Sequence, residues 1–334
     1  MKILVTGATG FIGGAAARRL VAEGHEVRCL VRSMEKAAGL AEAGCESSPG
    51  DITDADSCRE AARGVEAVFH CAALASDFGP WETFRRINVA GSLNVAEAAL
   101  ANKVQRFVYL STNDVFGVVK NKVIGDSFPH KPTGFQYPDT KAEAERRLFE
   151  LCRKRGLPLV AFRPAWVYGP GDRTFLPEIV HALAKGEMIY PGNRNNALHL
   201  NYIDNLLDAL MLGLQKKEAV GRGYLVTDGP PITWEQIITT LSAGLGLRPP
   251  RFALPAVIGY AVALGMEAGW KIAGAKSRPL LTRYAVTFMT ANMRYSDKRL
   301  REELGYEPKI LPQEGLARSV SWLRDQDLGA IKVK

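Results

Sequence analysis

The chain opens with an apolar run at residues 3–5 that leads directly into three regularly spaced glycines. The run predicts a strand buried on both faces, and residues 11–23 follow with a helical pattern. Between them, Gly7, Gly10 and Gly13 have the spacing GxxGxxG. Gly7 suits a tight turn, Gly10 lets the backbone approach a phosphate, and Gly13 lets the helix pack on the strand. This strand, turn and helix predict a dinucleotide site at the helix N-terminus.

Strands and helices continue to alternate through the first half of the chain. Short apolar runs at 27–31, 67–70, 106–110 and 159–163 are separated by helical patterns. Alternation of this kind predicts βαβ units, and hence a Rossmann-type α/β fold with a doubly wound parallel sheet. The predicted dinucleotide-binding domain covers 1–174. A smaller, mainly helical substrate lobe covers 175–334, and a strand or helix of it would be able to return to the first domain.

Composition excludes several classes of protein. The 334 residues carry 43 Lys plus Arg against 35 Asp plus Glu, without a cationic run longer than 153–155, so no nucleic-acid partner is expected. Five scattered cysteines show neither disulfide nor metal-ligand spacing, which favours reduced thiols, a cytoplasmic protein and no metal site. The first residues already read as a strand, so no secretory leader is expected.

An apolar run at 252–266 is the one segment that raises the question of a membrane. It is 15 residues long, short of the ~20 that a membrane span needs. The sequence predicts a buried helix here. The alternative is a helix that covers an apolar pocket or makes weak contact with a membrane surface.

The end of the second strand favours NADP(H), with NAD(H) as the other candidate. An acidic residue at that position would bind the ribose hydroxyls of NAD, but residues 29–33 contain no acid. Arg32 is placed to pair with the 2′-phosphate of NADP, and Ser33 to assist it. Asp51, beside Ile52 in the next turn, is placed to accept a hydrogen bond from the adenine amine.

A Thr, Tyr and Lys constellation supplies the predicted chemistry. Tyr137 and Lys141 are four residues apart at a helix start, which places them on one helical face. A nearby ammonium, together with a bound nicotinamidium, favours the phenolate and lowers the pKa of the phenol, so Tyr137 would exchange a proton with a substrate oxygen. Thr112, at the end of an earlier strand, would orient the same oxygen. Lys141 would also hold the nicotinamide ribose.

The sequence resembles the extended short-chain dehydrogenase/reductase superfamily, also called the NAD-dependent epimerase/dehydratase group. The motifs that carry the resemblance occur in order: TGATGFIGG at 6–14, GD at 50–51, FHCAA at 69–73, NVAG at 88–91, ST at 111–112, YxxxK at 137–141 and RPAWVYGPGD at 163–172. Segments at 278–284, 295–297 and 303–308 are similar to its 3β-hydroxysteroid dehydrogenase-like branch, which includes β-keto acid reductases.

The resemblance implies a set of site residues and a homodimer built on the helices that contain Trp81 and Tyr137. The implied catalytic residues are Thr112, Tyr137 and Lys141, with Ser111 as a neighbouring hydroxyl. Together with the residue-level arguments, the expected cofactor-binding residues are Gly7, Thr9, Gly10, Phe11, Ile12, Gly13, Arg32, Ser33, Asp51, Ile52, Ala72, Ala73, Asn88, Tyr137, Lys141, Pro164, Ala165 and Val167. The expected substrate residues are Asn113, Trp166, Arg173 and His199.

Three functions compete at this stage. The first is an oxidoreductase that interconverts a secondary alcohol and a ketone on a hydrophobic sterol-like or β-keto acyl substrate. The second is a nucleotide-sugar 4-epimerase that keeps NAD tightly bound. The third is a sensor without catalysis, which retention of Tyr137 and Lys141 disfavours. A sugar dehydratase is disfavoured because Asn113 stands where an acid is required. His70, at the end of a buried strand, is expected to be structural.

Overall fold

The computed structural model describes residues 1–119, 122–275 and 277–326. Its centre is a parallel sheet of seven strands, in the spatial order β7-β6-β5-β4-β1-β2-β3. The strands, numbered along the chain, are β1 Lys2–Thr6, β2 Glu26–Val31, β3 Glu46–Pro49, β4 Ala67–His70, β5 Arg106–Leu110, β6 Leu159–Pro164 and β7 Arg222–Val226. This is the predicted Rossmann-type sheet. The strand order reverses between β1 and β4, which is where such sheets bind a dinucleotide.

Helices cover both faces of the sheet. The opening helix, Phe11–Ala22, packs on β2 and also on the helix Ile203–Gln215. The predicted long helix at 81–101 is a continuous helical segment with a π-helical turn at Arg85–Gly91. The remaining helices of this region are Ala38–Ala41, Ala55–Ala62 and Gln136–Arg155, the last of which is called the Tyr137 helix below.

The strand Arg222–Val226 lies beyond residue 174, yet it pairs with Leu159–Pro164 at the edge of the main sheet. The rest of the second half is mainly helical, with short two-stranded pairings. Its helices are Phe175–Ala184, Ile203–Gln215, Trp234–Leu245, Ala256–Ile272, Arg283–Met289, Lys298–Leu304 and Pro312–Arg324. Two short strands lie in the first half of the chain: Val123–Ile124, and Trp166–Tyr168 just after β6. The short strands of the second half are Tyr190–Pro191, Ala197–Leu198, Leu200–Tyr202, Ile232–Thr233, Ala253–Leu254 and Arg294–Tyr295.

The expectation of a buried helix at 252–266 is wrong. The segment does form a helix, Ala256–Ile272, but only Gly259 and Ala263 on it are buried. Its large side chains face solvent, with Val257 82% exposed. The physical reason is that the two buried residues of the helix are small, so its large side chains stay outside, apart from the half-buried Met266, Glu267 and Trp270. Within the described residues, no helix is both long enough and apolar enough to cross a bilayer.

Buried hydrogen bonds fix the ends of β1 and β4, where the strand order reverses. The Thr6 hydroxyl lies 2.7 Å from Nδ1 of His70, and Nε2 of His70 lies 2.8 Å from the Ser92 hydroxyl. Burial lowers the pKa of His70 to about 3, so the ring is neutral at physiological pH. The structural role predicted for His70 is thus the one that its surroundings support.

Candidate active site

The glycine-rich turn has the geometry that its spacing predicts. Gly7 has φ +73°, and a Cβ on it would lie 2.7 Å from the Ala72 nitrogen. A Cβ on Gly13 would lie 2.3 Å from the Gly7 oxygen, so any side chain there would force the opening helix off the strand. Gly10 differs from both: a Cβ on it would approach only the Gly7 oxygen, at 3.2 Å. The outer side of the turn at Gly10 is therefore open.

The N-terminus of the opening helix fits a diphosphate. No acidic residue lies in its first turn, so the free N–H groups and the positive end of the helix dipole face no negative side chain there. Residues 9–12 form this end of the helix and its approach. Arg173, predicted to contact substrate, lies on this side instead, where its guanidinium donates to the Thr9 carbonyl at 3.3 Å. The Arg173 guanidinium thus lies beside the predicted diphosphate position.

The predicted adenosine end is built by the turns after β2 and β3. Arg32 is exposed directly after β2, as binding of a 2′-phosphate would require. The Ser33 hydroxyl accepts a hydrogen bond from the Lys36 nitrogen at 3.3 Å, so it already has one partner. Asp51 uses one carboxylate oxygen to accept from the Thr53 nitrogen, at 2.8 Å. Ile52 is buried beneath this turn.

Asn88 anchors the loop after β4 that carries Ala72 and Ala73. Its side-chain oxygen accepts from the Leu74 nitrogen at 2.7 Å, and its amide donates to the Thr140 hydroxyl at 3.1 Å. The residue thereby connects the loop to the Tyr137 helix. The structure gives Asn88 a positioning role between two parts of the predicted site.

Local sequence explains where the Tyr137 helix begins. It spans Gln136–Arg155, and Pro138 lies in its first turn, where a missing N–H breaks no helical hydrogen bond. The Asp139 carboxylate accepts from the Thr133 nitrogen at 2.8 Å and fixes the preceding loop. Tyr137 and Lys141 consequently project from the first two turns, toward the end of β5.

Thr112 and Tyr137 meet at the end of β5. The Thr112 hydroxyl caps the 3-10 turn Asn113–Phe116 by accepting from the Asp114 nitrogen at 3.2 Å. It lies close enough to the Tyr137 phenol to favour a lower pKa of that group. Asn113 is buried beside it. The buried Ser111 hydroxyl has no hydrogen-bond partner among the described residues, so it can serve a ligand.

Lys141 is almost wholly buried one helical turn from Tyr137. Its Nζ donates to the Leu110 carbonyl at 2.6 Å and lies 4.1 Å from the centre of the Tyr109 ring. Burial lowers the pKa of Lys141 to about 7, although the neighbouring Glu145 carboxylate opposes that shift. The ammonium is thus held at the carboxyl edge of the sheet.

The lowered pKa predicted for Tyr137 includes the effect of a bound nicotinamidium; in the protein without ligands, the surroundings of the phenol act in the other direction. Burial raises the pKa of this phenol well above its usual ~10, and the Asp114 carboxylate raises it further; the nearby Thr112 hydroxyl acts in the opposite direction. Lys141 does not offset these effects, because its ammonium is turned to the Leu110 carbonyl. The phenol is therefore strongly held in its protonated form.

Asp114 and Tyr284 form a hydrogen-bonded pair beside the predicted site that local sequence patterns do not reveal. The Tyr284 hydroxyl donates to the Asp114 carboxylate at 2.6 Å, although the two residues are 170 positions apart. Burial raises the pKa of Asp114 to about 6, against the hydrogen bonds that it accepts. The Tyr284 ring also packs edge-to-face on Phe135 and at a tilt on Phe288, with ring centres 5.7 and 4.8 Å apart. The pair thus lies where the active site meets an aromatic cluster.

A buried ion pair supports the Tyr137 helix from below. The Arg163 guanidinium contacts the Glu145 carboxylate at 2.6 Å, and His130 contacts the same carboxylate at 3.1 Å. Desolvation alone would raise the pKa of Glu145, but Arg163 and His130 hold it well below its usual range. Spacing gives a signal for Glu145, which is four residues after Lys141 on the same helical face.

The remaining predicted residues lie at the end of β6 and on or between the short strands that follow it. Pro164 ends β6, and the Ala165 nitrogen donates to the Val226 carbonyl at 3.0 Å, which holds the segment through Val167 against β7. Trp166 packs on Phe175, with ring centres 5.0 Å apart. His199 is buried against Tyr295 and connects two short strands; burial lowers its pKa to about 4, so it is neutral.

Comparisons with known proteins agree on the kind of protein to which this chain is similar. The model of the NAD dependent epimerase/dehydratase family matches residues 3–226. A 2-alkyl-3-oxoalkanoate reductase from Stenotrophomonas maltophilia is 32% identical over 326 residues, 95% of this chain and 98% of that protein. A 3 beta-hydroxysteroid dehydrogenase/Delta 5-->4-isomerase from Mycobacterium tuberculosis is 30% identical over 340 residues, covering 96% and 90%. A dTDP-glucose 4,6-dehydratase from Streptomyces venezuelae, a double mutant solved with NAD bound, superposes with a TM-score of 0.78 at 26% identity, covering 98% of each chain.

Proposed function

Because this chain belongs to the NAD dependent epimerase/dehydratase family and is an NAD(P)-dependent enzyme of the extended short-chain dehydrogenase/reductase type, we propose that it reduces an apolar β-keto acyl compound to the corresponding secondary alcohol. The same site would run the reverse oxidation. The relatives named as a 2-alkyl-3-oxoalkanoate reductase and a 3 beta-hydroxysteroid dehydrogenase/Delta 5-->4-isomerase support the reaction class. The aromatic cluster of Phe135, Tyr284 and Phe288 beside the site supports an apolar substrate.

A bound nicotinamide supplies or accepts the hydride. The chain's own residues manage the substrate oxygen and its proton. The Thr112 hydroxyl donates a hydrogen bond to the carbonyl oxygen, and the Tyr137 hydroxyl transfers its proton to that oxygen as the carbonyl carbon is reduced. Lys141 would hold the ribose of the nicotinamide, and an ammonium turned from the Leu110 carbonyl toward Tyr137 would also stabilise the phenolate that remains. Carbon gains a hydride and oxygen gains a proton, so the product is the neutral alcohol.

The observation that carries the proposal is the placement of the buried Thr112 hydroxyl near the Tyr137 phenol at the carboxyl end of β5, with Lys141 Nζ held by the Leu110 carbonyl one turn away. The Tyr137 phenol is protonated in the protein without ligands, which is the state that donates a proton in ketone reduction.

The reaction is tested by following nicotinamide absorbance with a panel of β-keto acyl compounds, hydroxysteroids and UDP-sugars. We expect turnover of the β-keto acyl compounds with NADPH. Activity on hydroxysteroids alone would retain the reaction and overturn the substrate class. Turnover of UDP-sugars alone would contradict the proposal and favour the alternative, a nucleotide-sugar 4-epimerase. Purified protein distinguishes the two again, because an epimerase retains its nicotinamide, whereas a reductase binds it reversibly.

We also propose that the cofactor is NADP(H). The support is the exposed guanidinium of Arg32 after β2 and the lack of an acid at residues 29–33. Arg32→Ala should raise the KM for NADPH by roughly tenfold or more, while leaving the KM for NADH within about twofold, since one charged hydrogen bond is worth about 1.5–3 kcal/mol. Arg59→Ala is the matched control, because Arg59 is an exposed arginine whose partner is the helix residue Asp56. Equal effects of Arg32→Ala on both cofactors would refute the preference.

A homodimer remains part of the proposal. The long helical segment at 81–101 and the Tyr137 helix lie side by side in the structure. Size-exclusion chromatography with light scattering on the full chain measures the state, and a monomer at all protein concentrations would overturn it.

A further inference from the structure

The helix Ala256–Ile272, called the exposed helix below, presents apolar side chains to solvent along its whole length. Val257 and Ile272 are 82% and 88% exposed, and Phe252 just before the helix is 75% exposed. About half of each of three further side chains is also exposed: Ile258 (54%), Val262 (47%) and Leu264 (48%). A monomeric protein in water rarely leaves this much contiguous apolar surface uncovered, so the face has a partner.

The way in which the exposed helix is attached leaves its large side chains outside. Its buried residues are the small Gly259 and Ala263. A Cβ on Gly259 would lie 3.4 Å from Val286, which shows how closely the helix backbone approaches its neighbour. Glu267 is tied to Arg283, with Oε2 and Nε 2.7 Å apart. The helix is therefore held to the protein along its small residues and at one ion pair.

The positive charge around the exposed helix favours an anionic partner. Residues 248–283 contain six lysines and arginines and one acid, Glu267. Two of the cations are paired, Arg283 with Glu267 and Arg278 with Asp77 and Glu178. Arg248, Arg251 and Lys271 are exposed at the two ends of the apolar stretch. Cations beside exposed apolar side chains complement anionic lipid headgroups above a hydrocarbon layer. A second copy meeting this face about a two-fold axis would instead bring two patches of the same sign together.

We propose that the exposed helix and Phe252 dock this protein on the surface of an anionic lipid bilayer. The helix has 17 residues, fewer than the ~20 that cross the hydrocarbon core, so it lies in the interface and does not span. An isolated amphipathic helix in the interface turns a polar face to water, whereas this helix turns that side to the rest of the protein. The inference does not depend on the proposed reaction, because membrane binding is measured without substrate or cofactor.

The position of the exposed helix also connects the bilayer to the active site. It packs on the helix Arg283–Met289. That second helix carries Tyr284, whose hydroxyl donates to Asp114 at 2.6 Å beside Thr112. An apolar molecule that leaves the bilayer at this point would meet the aromatic cluster of the active site after crossing one layer of helix.

The test is sedimentation of the full chain with vesicles of phosphatidylcholine, with and without phosphatidylglycerol. We expect binding at least about tenfold tighter to the anionic vesicles, and weaker binding as salt is raised, because each exposed cation contributes. Val257→Ser combined with Ile272→Ser should abolish binding. Arg251→Gln combined with Lys271→Gln should remove most of the preference for anionic vesicles. Val123→Ser is the matched control, since Val123 is 61% exposed outside this region and should bind like the parent.

Three results would overturn the proposal. One is a parent chain that binds neither type of vesicle. Another is Val257→Ser/Ile272→Ser protein that binds as well as the parent. The last is a parent dimer, measured without lipid, that the same double variant converts to a monomer, because a second copy would then cover the face. If the double variant does not fold, Phe252→Ser replaces it, since Phe252 lies outside the helix and is 75% exposed.

Discussion

Replacing Asp114 with asparagine should stabilise this protein at neutral pH, although it removes a charged group from the active site. Asp114 is 7% exposed, and its carboxylate accepts a hydrogen bond from the Tyr284 hydroxyl at 2.6 Å. Burial raises its pKa to about 6. Against an ordinary value of about 3.9, that difference corresponds to roughly 3 kcal/mol spent on keeping the carboxylate ionised in the folded state.

The sign of the pH dependence follows from proton binding. Between about pH 4 and pH 6 the folded chain holds a proton on Asp114 that the unfolded chain has released, so stability falls as pH rises through that window. Above about pH 6, the full cost of ionising the buried Asp114 is present and does not change with pH. The asparagine amide still offers an oxygen to the Tyr284 hydroxyl but cannot ionise. The variant should therefore equal the parent near pH 4 and exceed it by up to roughly 3 kcal/mol at pH 7.

Urea unfolding of both proteins at pH 4, 5, 6 and 7 measures the difference. Asp56→Asn is the matched control, because its carboxylate is 84% exposed and its removal should give nearly the same offset at every pH. A difference in the free energy of unfolding between parent and Asp114→Asn that does not change with pH would refute the argument that ionisation of this buried group costs stability. A variant less stable than the parent at pH 7 would show that the hydrogen bond from Tyr284 outweighs the charge.

Three further predictions concern other parts of the same framework. Tyr137→Phe should lower kcat for the proposed reduction by about 10²–10⁴, the usual contribution of a positioned proton donor, with an unchanged far-UV spectrum and cofactor affinity; loss of cofactor binding instead would mean a structural role. Gly13→Ala should destabilise the fold by about 1–3 kcal/mol in thermal unfolding, because its Cβ would lie 2.3 Å from the Gly7 oxygen, and a wild-type Tm would contradict that geometry. Arg163→Met should cost about 3–5 kcal/mol in urea unfolding, since it leaves the buried Glu145 carboxylate without its guanidinium, and a change below about 1 kcal/mol would show that His130 suffices.

The sequence alone determined the parts of this protein that depend on local pattern. Alternating apolar strands and helical segments predicted the doubly wound sheet, because period and turn chemistry are properties of neighbouring residues. The glycine spacing predicted a turn whose close contacts, such as Gly13 against Gly7, are made within a few residues. The placement of Tyr137 and Lys141 at the start of one helix was readable for the same reason.

Tertiary structure alone decided the electrostatics and the exposed surface. Asp114 and Tyr284 are 170 residues apart, so their hydrogen bond has no signature in local spacing, and neither has the effect of the Asp114 charge on the pKa of Tyr137. The apolar run at 252–266 reads as a buried helix, because hydrophobicity does not tell whether a partner surface exists in the same chain. In the folded chain, the small residues Gly259 and Ala263 make the packing contact, and the large side chains of the helix therefore point outward. Burial and charge–charge distance depend on which distant segments meet, and that is settled by the packing of the whole chain.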